Sequence, residues 1–595
     1  GLASDFMTDA DREWLARSGA WILIAITVWS VVGSLVIFGP WLLLKYGPMV
    51  KGSFFSLGTL TGLLTLVGGW SGKTAANKQT SSQKPSRTES LIQALLPFAA
   101  PLFAGFILVS LSLATSWMFR FTLEKLAAGS ELINLAIKVL TGNYLLLKLG
   151  TFSASYRPEY EQFPIAGNWH LNVLYHTPTH IVVLVAIVLM AFGGIAGWFI
   201  NVNKFSLHGA YRDRLIRAYL GASRTNGKRR SDPFTGFDED DNLRMFWLRE
   251  SKISPSLPHP LHVINTALNL VADSNLAWQD RKAQSFTFSP LHAGSRLVGY
   301  RPTEKYGCGR ATDITGPPPI SLGTCLAISG AAASPNMGYH SSPVVTFLLA
   351  LFNVRLGWWL GNPRKEQFKR SSPRFAPIHL LAETFGLTDA EHKYVYLSDG
   401  GHFENLGLYE MVRRRCHLIV LSDASADHDF SFEDLGGAIR KIQIDQGVPI
   451  EFDDRLKIRP RIKAESLFTK DGRSDDGQYC SVARINYKAV DGEKAVNGWL
   501  LYIKPTVYGS EAPDILNYAK DNPTFPHETT GDQMYSESQF ESYRSLGETA
   551  VEKIVGKKDV ENLTDLFDRM KKNFGIEDKP PINNEAMSGI EGDTG

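Results

Sequence analysis

Long uncharged apolar runs constrain this chain more than anything else in it. Trp21–Leu44 runs 24 residues without a charge, Leu91–Phe119 runs 29 and Ile181–Ile200 runs 20. About 20 apolar residues in a helix cross a bilayer, so each run predicts a membrane span. Buried core helices of a large soluble domain are the other reading, and the length of the runs disfavours it. Ser53–Trp70 is shorter and richer in Gly and Thr, and reads as a fourth span. Leu132–Leu149 carries Lys138 and Lys148; a charge in hydrocarbon is costly, so an interfacial helix is predicted there. Gly193, Gly194 and Gly197 suit close helix packing in lipid.

Lysine and arginine counts in the loops set the orientation. Ser71–Ser90 has four basic residues against one acidic, and Asn201–Arg230 has eight against the single Asp213. Short basic loops stay cytoplasmic. Two crossings between these loops satisfy that rule, and predict a multi-pass membrane protein with a four-helix membrane region over residues 1–230 and its soluble part in the cytoplasm. Arg212–Arg230 also reads as a surface helix held against anionic lipid head groups.

Ser231–Asn242 (SDPFTGFDEDDN) is polar and acidic and lacks the alternate spacing of a calcium loop, so it reads as a solvated linker. A net charge of +2 gives nucleic acid no support as a partner. Cys308, Cys325, Cys416 and Cys480 form no CxxC and have no histidine at ligand spacing. Neither a disulfide framework nor a zinc site follows, and no cofactor is called for.

Residues 231–575 read as an α/β domain. Pro260–Asp273, Ser285–Pro290, Tyr394–Leu397 and Cys416–Leu421 have strand character. Asn405–Arg415 has helical spacing, with Asn405 as a possible cap. The unit from Tyr394 to Leu421 is thus strand–turn–helix–strand, which in a parallel sheet puts ligand chemistry at the carboxyl ends of the strands, where Asp399 and Asp423 lie. Phe432–Gly447, Gln539–Val555 and Leu563–Phe574 are predicted helices, and Tyr479–Tyr487 and Trp499–Pro505 a predicted antiparallel pair across Lys488–Asn497. Asp423, Asp427, His428 and Asp429 admit a metal, but a cap and loop before the helix at Phe432 is the better reading. The last residues, 576–595, are polar and read as a disordered tail.

Asp399 is followed by Gly400 and Gly401, which free the backbone and let a substrate or another chain approach. The ordinary reading is an Asp-Gly turn whose carboxylate bonds its own backbone. The longer run Asp399-Gly400-Gly401-His402-Phe403-Glu404-Asn405-Leu406-Gly407 resembles the aspartate segment of patatin-like and cytosolic phospholipases. That resemblance implies a three-layer α/β/α catalytic part, a Ser/Asp dyad with Asp399 as general base, and binding contributions from Gly400, Gly401 and Asn405. Strand, gap and Phe288-Ser289-Pro290 resemble what lies between nucleophile and aspartate in the cytosolic enzymes.

Ser329, in Ala327-Ile328-Ser329-Gly330-Ala331, is the alternative nucleophile, with Gly330 offering an oxyanion amide. The competing reading is a Ser-Gly turn near a helix start. Patatin-like enzymes carry a Gly-rich, Arg-containing oxyanion segment and a Gly-x-Ser-x-Gly serine before the aspartate, and neither occurs in this sequence. Because Phe288–Pro290 already precedes Ser329, the resemblance, which covers about Pro260–Asp427, implies the carboxyl-terminal part of a larger protein with its nucleophile before Gly1. The predicted function is a membrane-bound lipid acyl-ester hydrolase whose partners are bilayer lipids. The alternative is a membrane scaffold or assembly protein that keeps the fold without chemistry.

Overall fold

The computed structural model describes residues 9–46, 105–119, 179–204, 206–224, 229–249, 260–273, 280–307, 319–338, 353–452, 458–462, 478–529, 535–556 and 559–576, with a few single positions besides. The apolar runs begin it. Helix α1 is Asp9–Tyr46, α2 is Gly105–Phe119 and α3 is Thr179–Phe199. Of these, two are long and apolar enough to cross a membrane, through Ala25–Lys45 and Val182–Phe199; α2 is shorter. Only 6% of either window is buried, whereas a core helix of a soluble protein would be covered. Helices α1 and α2 meet closely: Ser112 of α2 donates to the Val36 carbonyl of α1 at 2.7 Å, and Gly39 of α1 lies directly against Val109 of α2. The runs Ser53–Trp70 and Leu132–Leu149, the basic loop Ser71–Ser90 and the tail after 576 lie outside the described residues.

After α3 the chain turns into α4, His208–Leu215, which continues as the wide turn Ile216–Leu220. The acidic stretch that follows is exposed over residues 231–236 and at Glu239 and Asp240, but it is anchored at two carboxylates. Asp238 and Asp241 are 5% and 1% exposed; Arg224 reaches Asp241 at 2.7 Å and Asp238 at 3.2 Å, and Arg229 reaches Asp241 at 2.8 Å. Buried carboxylates need such partners, and the preceding basic run supplies them. These two arginines therefore face protein carboxylates rather than lipid.

Among the described residues ten strands form two sheets. In the first, β1 (Ile264–Asn269), β2 (Ala283–Phe288), β3 (His292–Ser295), β4 (Gly299–Pro302), β5 (Trp358–Gly361) and β6 (Tyr394–Asp399) lie in the order β4-β3-β2-β1-β6-β5. Every pairing in it is antiparallel. In the second, β7 (Leu418–Ser422), β8 (Ile450–Phe452), β9 (Cys480–Ile485) and β10 (Gly498–Ile503) lie in the order β7-β10-β9-β8. The predicted β9–β10 antiparallel pair is present, with Gly498 opposite Ile485. The parallel unit expected across Tyr394–Leu421 is not. Both edges of β6 are taken, by β1 and β5, so β7 has no place beside it and runs parallel to β10 in the other sheet.

Helices fill the layers. Helix α5 is Leu322–Ser329, α6 is Ala376–Thr384, α7 is Leu408–Arg413 and α8 is Glu433–Gln446; α9 (Pro513–Asp521), α10 (Glu537–Val555) and α11 (Leu563–Phe574) follow. Leu322, Cys325 and Ile328 of α5 share a core with Leu268, Phe286, Phe288 and Leu397 of the first sheet. Leu408, Val412, Leu435 and Ile442 pack between the sheets, against Ala267 and Ala283 on one side and Ala483, Leu500 and Tyr502 on the other. Val482 and Leu501 turn outward to Ile515, Leu546 and Phe567 of α9–α11. The alternation of strand side chains between two faces makes each sheet a wall shared by two cores. The described part is thus a mixed α/β structure of alternating helix and sheet layers.

Helix α3 is tied to this body. Gly197 lies directly against Pro377 of α6, while Gly193 and Gly194 have no neighbour in reach among the described residues. Just beyond α3, the Val202 carbonyl accepts from Arg355, whose guanidinium pairs with Glu383 at 2.8 Å. Arg355 and Glu383 are both fully buried.

Candidate active site

Five of the six residues of β6 are buried, and the strand ends in Asp399, half-exposed at its carboxyl end. Thr266 of β1 lies opposite it. Residues paired directly across strands share a face, so Asp399 points to the side on which α5 packs. Its Oδ1 accepts from the Gly401 amide at 2.7 Å, which is the Asp-Gly turn bond of the ordinary reading. Among the described residues Oδ2 accepts no hydrogen bond. The turn continues as a single helical turn, Gly400–His402.

Both glycines are needed for closeness rather than for a positive φ. A Cβ on Gly400 would sit 2.8 Å from the Asn265 carbonyl oxygen, and one on Gly401 would sit 2.9 Å from Asn405 Oδ1. Asn405 donates to Asp434 at 2.9 Å, fastening this loop to α8. It does not cap α7. The position before that helix is Gly407, with φ 75° and no side chain to offer.

Ser329 is the last residue of α5, with Gly330 at the C-cap, not a serine at a strand-to-helix elbow or near a helix start. Ser321 begins the helix by accepting from the Thr324 amide. Ser329 Oγ donates to the Asn265 carbonyl at 2.7 Å. The Gly330 amide donates to Leu326 at 3.0 Å, so it does not face a ligand. The carboxyl end of a helix carries the negative end of the dipole, the wrong sign for an oxyanion. The structure nevertheless gathers Ser329 and the Asp399-Gly400 turn around one acceptor, the Asn265 carbonyl, and the Asp399 amide donates to Ala331 at 3.4 Å.

Tyr211, from α4, closes this corner. Its hydroxyl lies against Gly330, and burial, followed by the nearby Asp399 carboxylate, pushes it above its ordinary pKa. No sequence motif marks Tyr211; it sits in a segment read only for its arginines. On the opposite face, Ser398 Oγ shares a 2.7 Å hydrogen bond with His402 Nδ1 and accepts from Asn269 at 2.8 Å.

Asp423 belongs to a separate cluster at the carboxyl ends of β7 and β10. It accepts from Tyr502 Oη at 2.6 Å and from Lys504 at 3.1 Å, with Lys504 and Asp423 0% and 1% exposed. Burial works against its ionisation, but Lys504 and the Ser425 and Tyr502 hydroxyls hold its carboxyl below the usual range. Asp427 accepts from the Ser431 and Phe432 amides at 2.9 and 3.1 Å, a cap-and-loop role before α8. Among the described residues no group of histidine, cysteine and carboxylate ligands could hold a metal.

No family model matches the chain, and no curated protein matches it. Among solved structures, human GIVD cytosolic phospholipase A2 is similar over 53% of this chain and 42% of its own, at 16% identity and a TM-score of 0.31. The chain thus spans less than half of that structure, and the likeness is too slight to assign a fold or an activity.

Proposed function

We propose that the protein is a membrane-bound acyl-ester hydrolase acting on lipids, built on a patatin-like architecture, with Asp399 as general base and the serine nucleophile contributed from outside the described residues. The observation that carries this reading is the state of Asp399: one carboxylate oxygen fixed by the Gly401 amide and the other without a hydrogen bond among the described residues. A base that takes a proton directly from a serine needs an oriented carboxylate with one oxygen available. The setting supports a lipid substrate. Tyr211 beside Asp399 follows closely after α3, whose Phe192, Met190 and Phe199 are 70%, 68% and 82% exposed, as a bilayer-facing helix would be.

A second reading, a membrane scaffold without chemistry, is favoured by one feature: Ser329, which shares the Asn265 carbonyl with this corner, gives its hydroxyl to that backbone acceptor and has no oxyanion amide. Hydrolysis of short-chain and phospholipid esters by the intact protein in detergent separates the two. Asp399→Asn keeps the shape and the Gly401 contact but removes the proton acceptor, and is expected to lower turnover about 100- to 10,000-fold. Ser329→Ala is expected to keep most of it. Wild-type turnover in a folded Asp399→Asn protein would remove Asp399 from the mechanism, and a folded but inactive Ser329→Ala would return the nucleophile to α5.

A further inference from the structure

A cavity of about 350 Å³ opens beside the start of β2, lined by Gln284, Ser285, Arg296, Arg364, Glu410 and Arg413 among others. That volume is at the small end of ligand sites. It is not part of the Asp399 corner. Ser285 pairs across β1 with Ala267, and Ala267 with Ser398, so Ser285 lies on the face of the sheet away from Asp399.

The charges in and around the cavity do not cancel. Arg281 pairs with Asp445 at 2.7 Å, Arg364 with Glu391 at 3.4 Å, and Arg413 and Arg414 with Glu410 at 2.8 and 3.4 Å. Arg296 lines the cavity, is exposed, and forms no ion pair among the described residues. Five guanidiniums (Arg281, Arg296, Arg364, Arg413 and Arg414) against three carboxylates (Glu391, Glu410 and Asp445) leave two positive charges.

One of these cations is held rigidly. Glu410, with a side chain 5% exposed, accepts from Ser285 Oγ at 2.8 Å and from Arg413 Nε and Nη2 at 3.1 and 2.8 Å. Tyr300 Oη takes Arg413 Nη2 as well, at 2.9 Å. Arg413 Nη1 makes no hydrogen bond among the described residues, so its donors are fixed in place and unassigned.

We infer that this cavity binds a phosphate group, held by Arg296 and Arg413. Two uncompensated charges and fixed guanidinium donors match a phosphate dianion better than a carboxylate. The same chemistry is offered by a free phosphate ester and by a phosphorylated lipid head group. The site does not depend on Asp399.

Calorimetry on the full chain in detergent micelles, with myo-inositol monophosphate, inorganic phosphate and myo-inositol as probes, tests the inference. The monophosphate and inorganic phosphate are expected to bind, and inositol not at all. Arg296→Ala, at an exposed residue whose loss does not threaten folding, is expected to weaken binding about 10- to 100-fold, the effect of losing a charged hydrogen bond. Asp399→Asn should bind as wild type. Flotation with phosphatidylcholine vesicles, with and without phosphatidylinositol phosphate, distinguishes the sources: retention only on the phosphorylated lipid, lost in Arg296→Ala, assigns the ligand to a head group. Absence of binding to both the soluble and the vesicle probe, binding unchanged in Arg296→Ala, or binding lost in a folded Asp399→Asn protein would each overturn it.

Discussion

Acid should loosen the segment that carries Tyr211, and His208 is the reason. Its Nδ1 lies 2.6 Å from the Leu356 carbonyl. A carbonyl only accepts, so Nδ1 carries the proton, and Nε2 is a bare nitrogen buried without a partner among the described residues, with the Trp358 ring centroid 4.3 Å from the imidazole. A second proton would have no acceptor. Burial accordingly lowers the pKa from 6.5 to about 4. Because the folded value is depressed, the unfolded chain binds the proton first, and stability present above pH 6.5 is lost as pH falls toward 4. At about 1.36 kcal/mol per pH unit, the full gap amounts to about 3 kcal/mol. His527 is lowered to about 4 as well, by burial and then by Lys504, so two protons should be taken up on unfolding in this window. Glu383 acts in the opposite sense: burial raises it from 4.5 to about 6 against the pull of Arg355, so its contribution is greatest below pH 4.5 and fades as pH rises through 6. The test is urea unfolding of the intact protein in detergent, followed by tryptophan fluorescence at several pH values between 4 and 7. His208→Gln should remove one proton from the pH slope, and His208→Gln with His527→Gln should remove two. Equal slopes in wild type and both variants would refute the reasoning.

Other perturbations read other parts of the structure. Glu383→Gln strands the fully buried Arg355 charge and should cost about 3 to 5 kcal/mol in urea unfolding at pH 7; an unchanged midpoint would show that the pair is not buried. Gly400→Ala puts a methyl 2.8 Å from the Asn265 carbonyl oxygen and should destabilise by about 1 to 3 kcal/mol through overpacking, seen as a lowered melting temperature. Ser329→Ala removes one hydrogen bond to Asn265 and should cost about 1 kcal/mol in the same assay.

Elements with strong local pattern were legible in the sequence, and their partners were not. The β-branched and aromatic runs behind β1, β2, β6, β9 and β10 mark strands through side-chain pattern alone. The β9–β10 pair was readable because only residues 486–497 separate the two strands. Which strand lies beside β6 depends on residues more than 100 positions upstream in β1, and nothing local records that. The helix at Leu322–Ser329 was obscured by Gly323 and Thr324, although Ser321 before Leu322 is an ordinary N-cap signal. Gly323 is there for packing, against Ile216 and Asn242. Asp238 and Asp241 looked solvated because their arginine partners are matched by folding, not by sequence spacing. Tyr211 carried no signal, since only the return of α4 over α5 gives it a place beside Asp399.

The parallel pairing of β7 with β10 also bears on the order in which a nascent chain can assemble. The first sheet has all its strands once Asp399 has been made, but β7 must wait for residues 498–503 before it gains its parallel neighbour. Until then Leu435 and Ile442 of α8 have only half of the core that finally covers them. Pairing over such a separation is slow because the loop must close before any contact rewards it. The interval in which that apolar layer is open follows directly from the strand order.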